Sequence, residues 1–370
     1  MTASTAFYWN EHCFWHSGGN YAFILPVQGN VQPVVNGGLP ETPESKRRFL
    51  NLLLRTGLAD ELAMVTGRTA TEEELRRVHP ADYLAKFKAL SDASGGELGV
   101  RTPFSQGGYE MTALSAGMAT QALRDVLKGT YRNAYALCRP PGHHCLPSEP
   151  MGYCLLANVA IAIETALAEK TASRIAVVDW DVHHGNGTEH IFYERSDVLT
   201  ISLHQENNYP ANSGAAESRG ARAGEGYNIN VPLLPGSGHD AYIHAMERIV
   251  LPALERFKPD AIVVACGFDA SGVDPLSRMI ATSDTFRRMT AMVLDAAEEL
   301  CGGKAVFAHE GGYSEVHVPF CGHAVVQTLA GSSIDAGDPL LSRLTHQQPN
   351  EGFRRYQRKL IDDMGGFFGL

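Results

Sequence analysis

The run "VVDWDVHHGNG" (177–187) closes an apolar stretch with a dense group of acid–base and ligating side chains: Asp179, Asp181, His183, His184 and Asn186. Asp181 and His183 stand two apart, which on an extended backbone turns both side chains to the same side. Asp269 ends another apolar run, "AIVVACGFD" (261–269). Two carboxylates and one imidazole suit a divalent, zinc-like ion, and three protein ligands leave a position open for water and substrate. The plainer reading is an Asp–His pair satisfied at the end of a buried strand. It weakens as further clusters of the same kind appear.

In "RPPGHH" (139–144) two prolines and a glycine stiffen the chain before it presents His143 and His144. A carboxylate on the second nitrogen makes a histidine a better base and fixes its tautomer. Asp179, near the metal ligands but not needed among them, can supply it. In "HEGGY" (309–313) the glycines permit a close backbone approach and free placement of Tyr313, whose phenol can donate a hydrogen bond. Together these groups suggest amide hydrolysis. A metal would polarise the carbonyl and acidify water, a histidine would take the proton and return it to the leaving amine, and Tyr313 would stabilise the oxyanion. No serine or cysteine nucleophile is required.

Such groups need elements that bring them together. Strand-like runs at 134–138, 174–181, 198–204, 261–269 and 305–312 alternate with helical patterns at about 155–169, 238–256, 283–300 and 320–330. Continuous apolar runs between amphipathic helices predict a mostly parallel sheet covered on both faces. Loops beyond the carboxyl ends of such strands line the binding crevice, and each polar cluster begins where a run ends.

The 370 residues are 44% hydrophobic, enough for a large core and compatible with one α/β domain. Lys plus Arg number 31 against 41 Asp plus Glu, for a formal charge of −10, with no basic block to follow a phosphate backbone. Nucleic acid is not expected as a direct ligand. The first residues lack the pattern of a secretory leader and no apolar run reaches the length of about 18 residues that spans a bilayer, so a cytoplasmic protein without membrane contact is expected. Seven scattered cysteines without a CxxC pair argue against a disulfide framework; Cys138 and Cys154 are expected to fill the core, and Cys145 to touch a pocket.

"RPPGHHC", "MGYCLLANVAIA", "VVDWDVHHGNGTEHIFY", "TISLHQ", "GYNINVPLLPG", "GFDAS" and "HEGGY", in this order over residues 132–313, resemble the zinc-dependent histone deacetylase family, in particular its class II-like bacterial amidohydrolases and acetylpolyamine amidohydrolases. The resemblance implies an arginase-deacetylase α/β fold with a central, mostly parallel eight-stranded sheet flanked by helices on both faces, the whole chain 1–370 forming a single catalytic domain. It implies Asp181, His183 and Asp269 as ligands of one zinc, His143 and His144 as the catalytic pair, Asp179 as the partner of His143, and Tyr313 as the carbonyl-polarising tyrosine. Asn186 stands where some relatives pair an aspartate with the second histidine. A neutral partner stabilises a proton on His144 less, which makes His144 the better base.

The resemblance also implies a structural potassium ion held by Asp179, Asp181, His183, Ser202 and Leu203, and an outer cation site near Phe192, Arg195, Val198 and Tyr227. Tyr153 and Tyr209 replace the phenylalanines that wall the acyl-lysine channel of relatives. Leu276 stands where an acetylpolyamine-selective relative has an acidic gatekeeper. Gly311 and Glu97 complete the expected substrate contacts, Glu97 as the carboxylate that would hold the substrate backbone. An arginase-like ureohydrolase would need a second metal, and no aspartate stands two positions beyond Asp269. A catalytically dead acyl-lysine reader does not need both histidines and Tyr313. Deacylation of acyl-lysine in proteins or peptides is the expected activity, hydrolysis of small acylated amines its alternative, and a homo-oligomer is compatible with either.

Overall fold

Apolar, β-branched runs covered by helices on both sides fold as parallel strands. Eight of them form one sheet: β1 (Thr5–Trp9), β2 (Ala63–Thr66), β3 (Asn133–Ala136), β4 (Ile175–Asp179), β5 (Val198–Gln205), β6 (Asn228–Leu233), β7 (Ala261–Cys266) and β8 (Ala305–His309). The spatial order is β6-β5-β4-β7-β8-β3-β1-β2, with every pairing parallel. The computed structural model describes residues 4–19, 21–27, 31 and 38–370.

Successive side chains of a strand point to opposite faces, and the sheet feeds two cores. Ala176, Val178, Ile262 and Val264 enter one; Ile175, Val177, Ala261 and Val263 enter the other. The helices include α1 (Pro43–Thr56), α2 (Gly108–Leu127), α3 (Asn158–Ala168), α4 (Asn186–Phe192), α5 (Ser283–Cys301), α6 (Val318–Ala330) and α7 (Glu351–Phe367). α1, α5, α6 and residues 239–257 cover the first core, α2 and α3 the second. Local chemistry sets the helix ends. Thr282 caps α5 by accepting from the Thr285 N–H, and Gly302 at φ 64° closes it, a left-handed turn that glycine makes without steric cost.

The strands expected at 134–138, 174–181, 198–204, 261–269 and 305–312 are β3, β4, β5, β7 and β8, each shorter or longer by a few residues. The helix expected over 238–256 runs unbroken over 239–257, but between its α-helical segments His239–Ala245 and Leu251–Phe257 it is π-helical, Met246–Val250, and there the Leu251 N–H reaches back to the Met246 carbonyl. Pro252 follows, and its missing N–H would leave a carbonyl of a regular helix without a donor. Strands β1, β2 and β6 carry no expectation from the sequence. β1 lies between β3 and β2, and Ile361 and Phe368 near the chain end pack into the first core. Among the described residues no helix is long and apolar enough to cross a membrane.

The neighbouring strands β4, β7, β8 and β3 end at one level, since Asp179 pairs with Ala265, Cys266 with His309, and Ala308 with Ala136. Their following loops carry, in that spatial order, Asp181 and His183, Asp269, Tyr313, and the His143–His144 pair.

Candidate active site

Backbone N–H groups aim the carboxylates beyond β4 and β7. Val182 N donates to Asp269 Oδ1 at 2.8 Å, His183 N to Asp181 Oδ1 at 2.9 Å and Gly311 N to Asp181 Oδ2 at 2.7 Å. His183 Nδ1 lies 3.0 Å from Asp181 Oδ1 and 3.1 Å from Asp269 Oδ2, and one ligand atom from each of the three buried residues falls within 4.8 Å of the others. A Cβ on Gly311 would stand 2.2 Å from Asp269 Oδ2 and 2.5 Å from Asp181 Oδ2, so only glycine leaves this space open. Burial and the neighbouring Asp181 carboxylate raise Asp269 to about 6. A divalent cation among these oxygens and the imidazole would remove that cost, so the donor set fits zinc.

His143 and His144 lie side by side, ring centroids 4.0 Å apart, with different partners. His143 Nδ1 is 3.0 Å from Asp179 Oδ2; His144 Nδ1 is 2.8 Å from the Asn186 carbonyl oxygen. Burial works against charge on His143, yet Asp181 and Asp179 outweigh it and raise that ring to about 10. For His144, burial and the neighbouring His143 and His183 push well below the usual range. An Nδ1–H donated to Asn186 leaves His144 Nε2 as a free acceptor.

Two groups with no expected role in the site, one of them the core residue Cys154, hold the histidine loop. Glu310 Oε2 accepts from Gly142 N at 2.7 Å and His143 N at 3.1 Å, and Cys154 Sγ accepts from His144 N at 3.4 Å. His143, Cys154 and Glu310 also lie within ligating range of one another. The thiol and carboxylate already serve backbone donors, however, and His143 is turned to Asp179. A third such group, Asp274, takes the Tyr313 N–H at 2.8 Å on one oxygen and the Leu276 N–H at 2.9 Å on the other. Burial raises its carboxyl to about 8, with Asp269 adding to the shift.

A cleft of about 630 Å³ opens onto this group, with His144, His183 and Tyr313 at its floor and Tyr153, Tyr209 and Leu276 in its walls. Tyr153 packs edge-on to Tyr313 with centroids 5.7 Å apart, and Tyr209 packs edge-on to His144 at 5.0 Å. Gly152, at φ 55°, permits this approach: a Cβ there would stand 2.4 Å from the His144 ring and 2.9 Å from that of Tyr209.

Other expected residues lie elsewhere. Glu97 is exposed, accepts from the Tyr21 hydroxyl and Thr102 N, and does not line the cleft; Arg101 does. Cys145 is fully buried with its thiol on the Leu146 carbonyl, which corrects the expectation that it touches a pocket, and all seven cysteines are free. His184 turns away to Ser213 and Glu189, whose carboxylate also takes the Asn228 and Asn230 amides. Ser202 is the cross-strand partner of Asp179, with its hydroxyl on His204 at 2.9 Å, and Leu203 follows it on β5. Of the outer group, Phe192 and Val198 are buried, Tyr227 is half-buried, and Arg195 forks onto Asp197.

The description "Histone deacetylase domain" matches residues 39–329. This chain belongs to the histone deacetylase family. It is 55% identical over 370 residues to a histone deacetylase-like amidohydrolase of Pseudomonas aeruginosa, covering all of this chain and 97% of that protein. It is 38% identical over 294 residues to histone deacetylase 8 of Arabidopsis thaliana, covering 78% of each. The crystal structure of the HDA15 HD domain superimposes with a TM-score of 0.83 at 32% identity, over 99% of this chain and 95% of that one. The fold is therefore the arginase-deacetylase fold of this amidohydrolase family, with its parallel sheet and flanking helices.

Proposed function

We propose that the protein is a zinc-dependent amidohydrolase that removes acetyl or other short acyl groups from the ε-amine of acyl-lysine in proteins or peptides. One observation carries the reading: His144, His183 and Tyr313 share the floor of a cleft walled by Tyr153 and Tyr209, with Asp181 and Asp269 directly behind it. Rings on both sides suit a long aliphatic stem, and the floor suits an amide at its end.

Asp181, His183 and Asp269 hold the metal, which when bound supplies Lewis acidity toward the acyl carbonyl and toward water. His144, uncharged through burial and its neutral partner Asn186, takes the water proton and returns it to the leaving amine. His143 faces Asp179 through Nδ1, and that carboxylate favours a proton on the ring, which places positive charge next to His144. Tyr313 donates its phenol to the carbonyl oxygen as charge develops there, its backbone fixed by Asp274. Gly311 keeps the floor open beside the ligands.

The reading includes a structural potassium ion at Asp179, Asp181, His183, Ser202 and Leu203, supported by the register of Ser202 beside Asp179. It also takes residues 1–370 as one catalytic domain, supported by β1 in the shared sheet and Ile361 in the shared core. The deciding comparison is kcat/KM for a neutral acetyl-lysine peptide against acetylputrescine and acetylspermidine on one preparation. Preference for the peptide is expected; efficient turnover of the small amines alone would assign the chain to the acetylpolyamine branch.

A further inference from the structure

The mouth of the cleft departs from the charge of the molecule around it. The chain carries a formal charge of −10, yet two arginines, Arg101 and Arg278, line the opening and no carboxylate does among the described residues. Phe23 and Ile24, which also line it, are apolar.

Arginines elsewhere in the structure are commonly paired: Arg124 with Glu74 and Glu169, Arg195 with Glu164 and Asp197, Arg358 with Asp240. Arg101 and Arg278 have no carboxylate within 4.0 Å among the described residues. The nearby acids are committed elsewhere: Glu97 to Tyr21 and Thr102, Asp274 to two backbone N–H groups behind Leu276.

Arg101 is also built into the channel walls. Its carbonyl accepts from Tyr153 N at 3.0 Å, and its guanidinium lies over the Tyr209 ring, 5.4 Å from the centroid. Its φ of 58° is a left-handed conformation uncommon for a side chain of this size. Arg278 is exposed on the Leu276 side, where its backbone N–H donates to Gln205 Oε1 at 2.7 Å and its Nη1 to the Ser277 carbonyl at 2.8 Å.

We propose that Arg101 and Arg278 make this site selective for acyl-lysine flanked by acidic residues. The inference rests on the acyl-lysine reading of the site. An acyl-lysine side chain is neutral and can pass between Tyr153 and Tyr209, which leaves the peptide backbone and its neighbouring side chains at the mouth. A carboxylate there meets a guanidinium fork shaped to bind it with two hydrogen bonds. A lysine there, or the remaining ammonium groups of a polyamine, meets like charge.

Three peptides that differ only in the residues flanking one acetyl-lysine, acidic, neutral or basic, test this at low ionic strength. The acidic peptide should exceed the basic one in kcat/KM by about tenfold, chiefly through KM, and added salt should shrink the ratio. Arg101→Gln and Arg278→Glu should each lower the acidic-to-basic ratio, and the double variant should bring it to one or below. Because the ratio is taken within one preparation, loss of folded enzyme cancels from it. Equal turnover of the three peptides by the wild type, or a ratio unchanged in the double variant, would overturn this proposal alone. Three inert peptides beside active turnover of acetylspermidine would overturn the acyl-lysine reading and this proposal with it.

Discussion

His143 and His144 have nearly the same depth of burial and adjacent places in the chain, and they differ in what faces Nδ1: a carboxylate for His143, a carboxamide oxygen for His144. In the proposed mechanism that difference makes His144 the base. Asn186→Asp places a negative charge at the same 2.8 Å contact and favours the protonated form of His144. A base must lose its proton before it acts, so the acidic limb of the kcat/KM profile should move to higher pH. A shift of about one unit corresponds to about 1.4 kcal/mol in protonation energy. The measurement is a full pH–rate profile of both proteins at matched metal content with a substrate that does not titrate. An acidic limb that stays in place or moves down would show that His144 is not the base. The histidines, Asp179, Asp181 and His183 are legible in the sequence because they sit in compact motifs. Glu310 lies inside "HEGGY" and Asp274 just beyond "GFDAS", yet their roles are hidden there. Glu310 binds two backbone N–H groups of the distant histidine loop and Asp274 that of the distant Tyr313, and spacing along the chain does not report such contacts.

Strands buried on both faces announce themselves as continuous apolar runs, which is why β3, β4, β5, β7 and β8 can be read directly. The unread strands lie toward the edges of the sheet or interrupt the pattern. β2 is a half-buried edge strand of four residues, and β6, at the other edge, contains Pro232, which a central strand would exclude. Helix contacts are less visible still. α1 and α6 approach at Gly322, where a Cβ would stand 2.6 Å from Phe49 ring atoms. Phe49 is fully buried and in aromatic contact with Phe7, Tyr135 and Phe268, so it has no room to turn aside. Alanine at 322 would gain about 0.5–1 kcal/mol in helix propensity but overpack the crossing at a cost of about 1–3 kcal/mol. Overpacking outweighs the gain in propensity, and Gly322→Ala should lower the denaturant midpoint without changing the m-value. A variant as stable as the wild type would mean that the two helices are packed more loosely than this.

Across the whole molecule, four strands adjacent in space gather groups from loops far apart in the chain, and the two cores fix the strand ends that carry them. Buried charge ties the N-terminal region to the same place. Glu41 Oε1 lies 3.0 Å from both Lys46 Nζ and Arg139 Nε, and Arg139 opens the loop that presents the histidines. The family and the parallel sheet are legible in the order of the motifs. The contributions of β1 and of the C-terminal residues become visible only in the assembled sheet and core. The central claim is that this framework holds one zinc ion between Asp181, His183 and Asp269, and that hydrolysis depends on it. It is tested most directly by measuring zinc content and turnover of a neutral acetyl-lysine peptide together, in the wild type and in Asp181→Ala, His183→Ala and Asp269→Ala proteins shown to be folded by circular dichroism. The account predicts about one zinc per chain in the wild type, and in each variant loss of bound zinc together with a fall in kcat/KM of more than about 100-fold. Folded variants that keep both the wild-type zinc content and the wild-type turnover would contradict it.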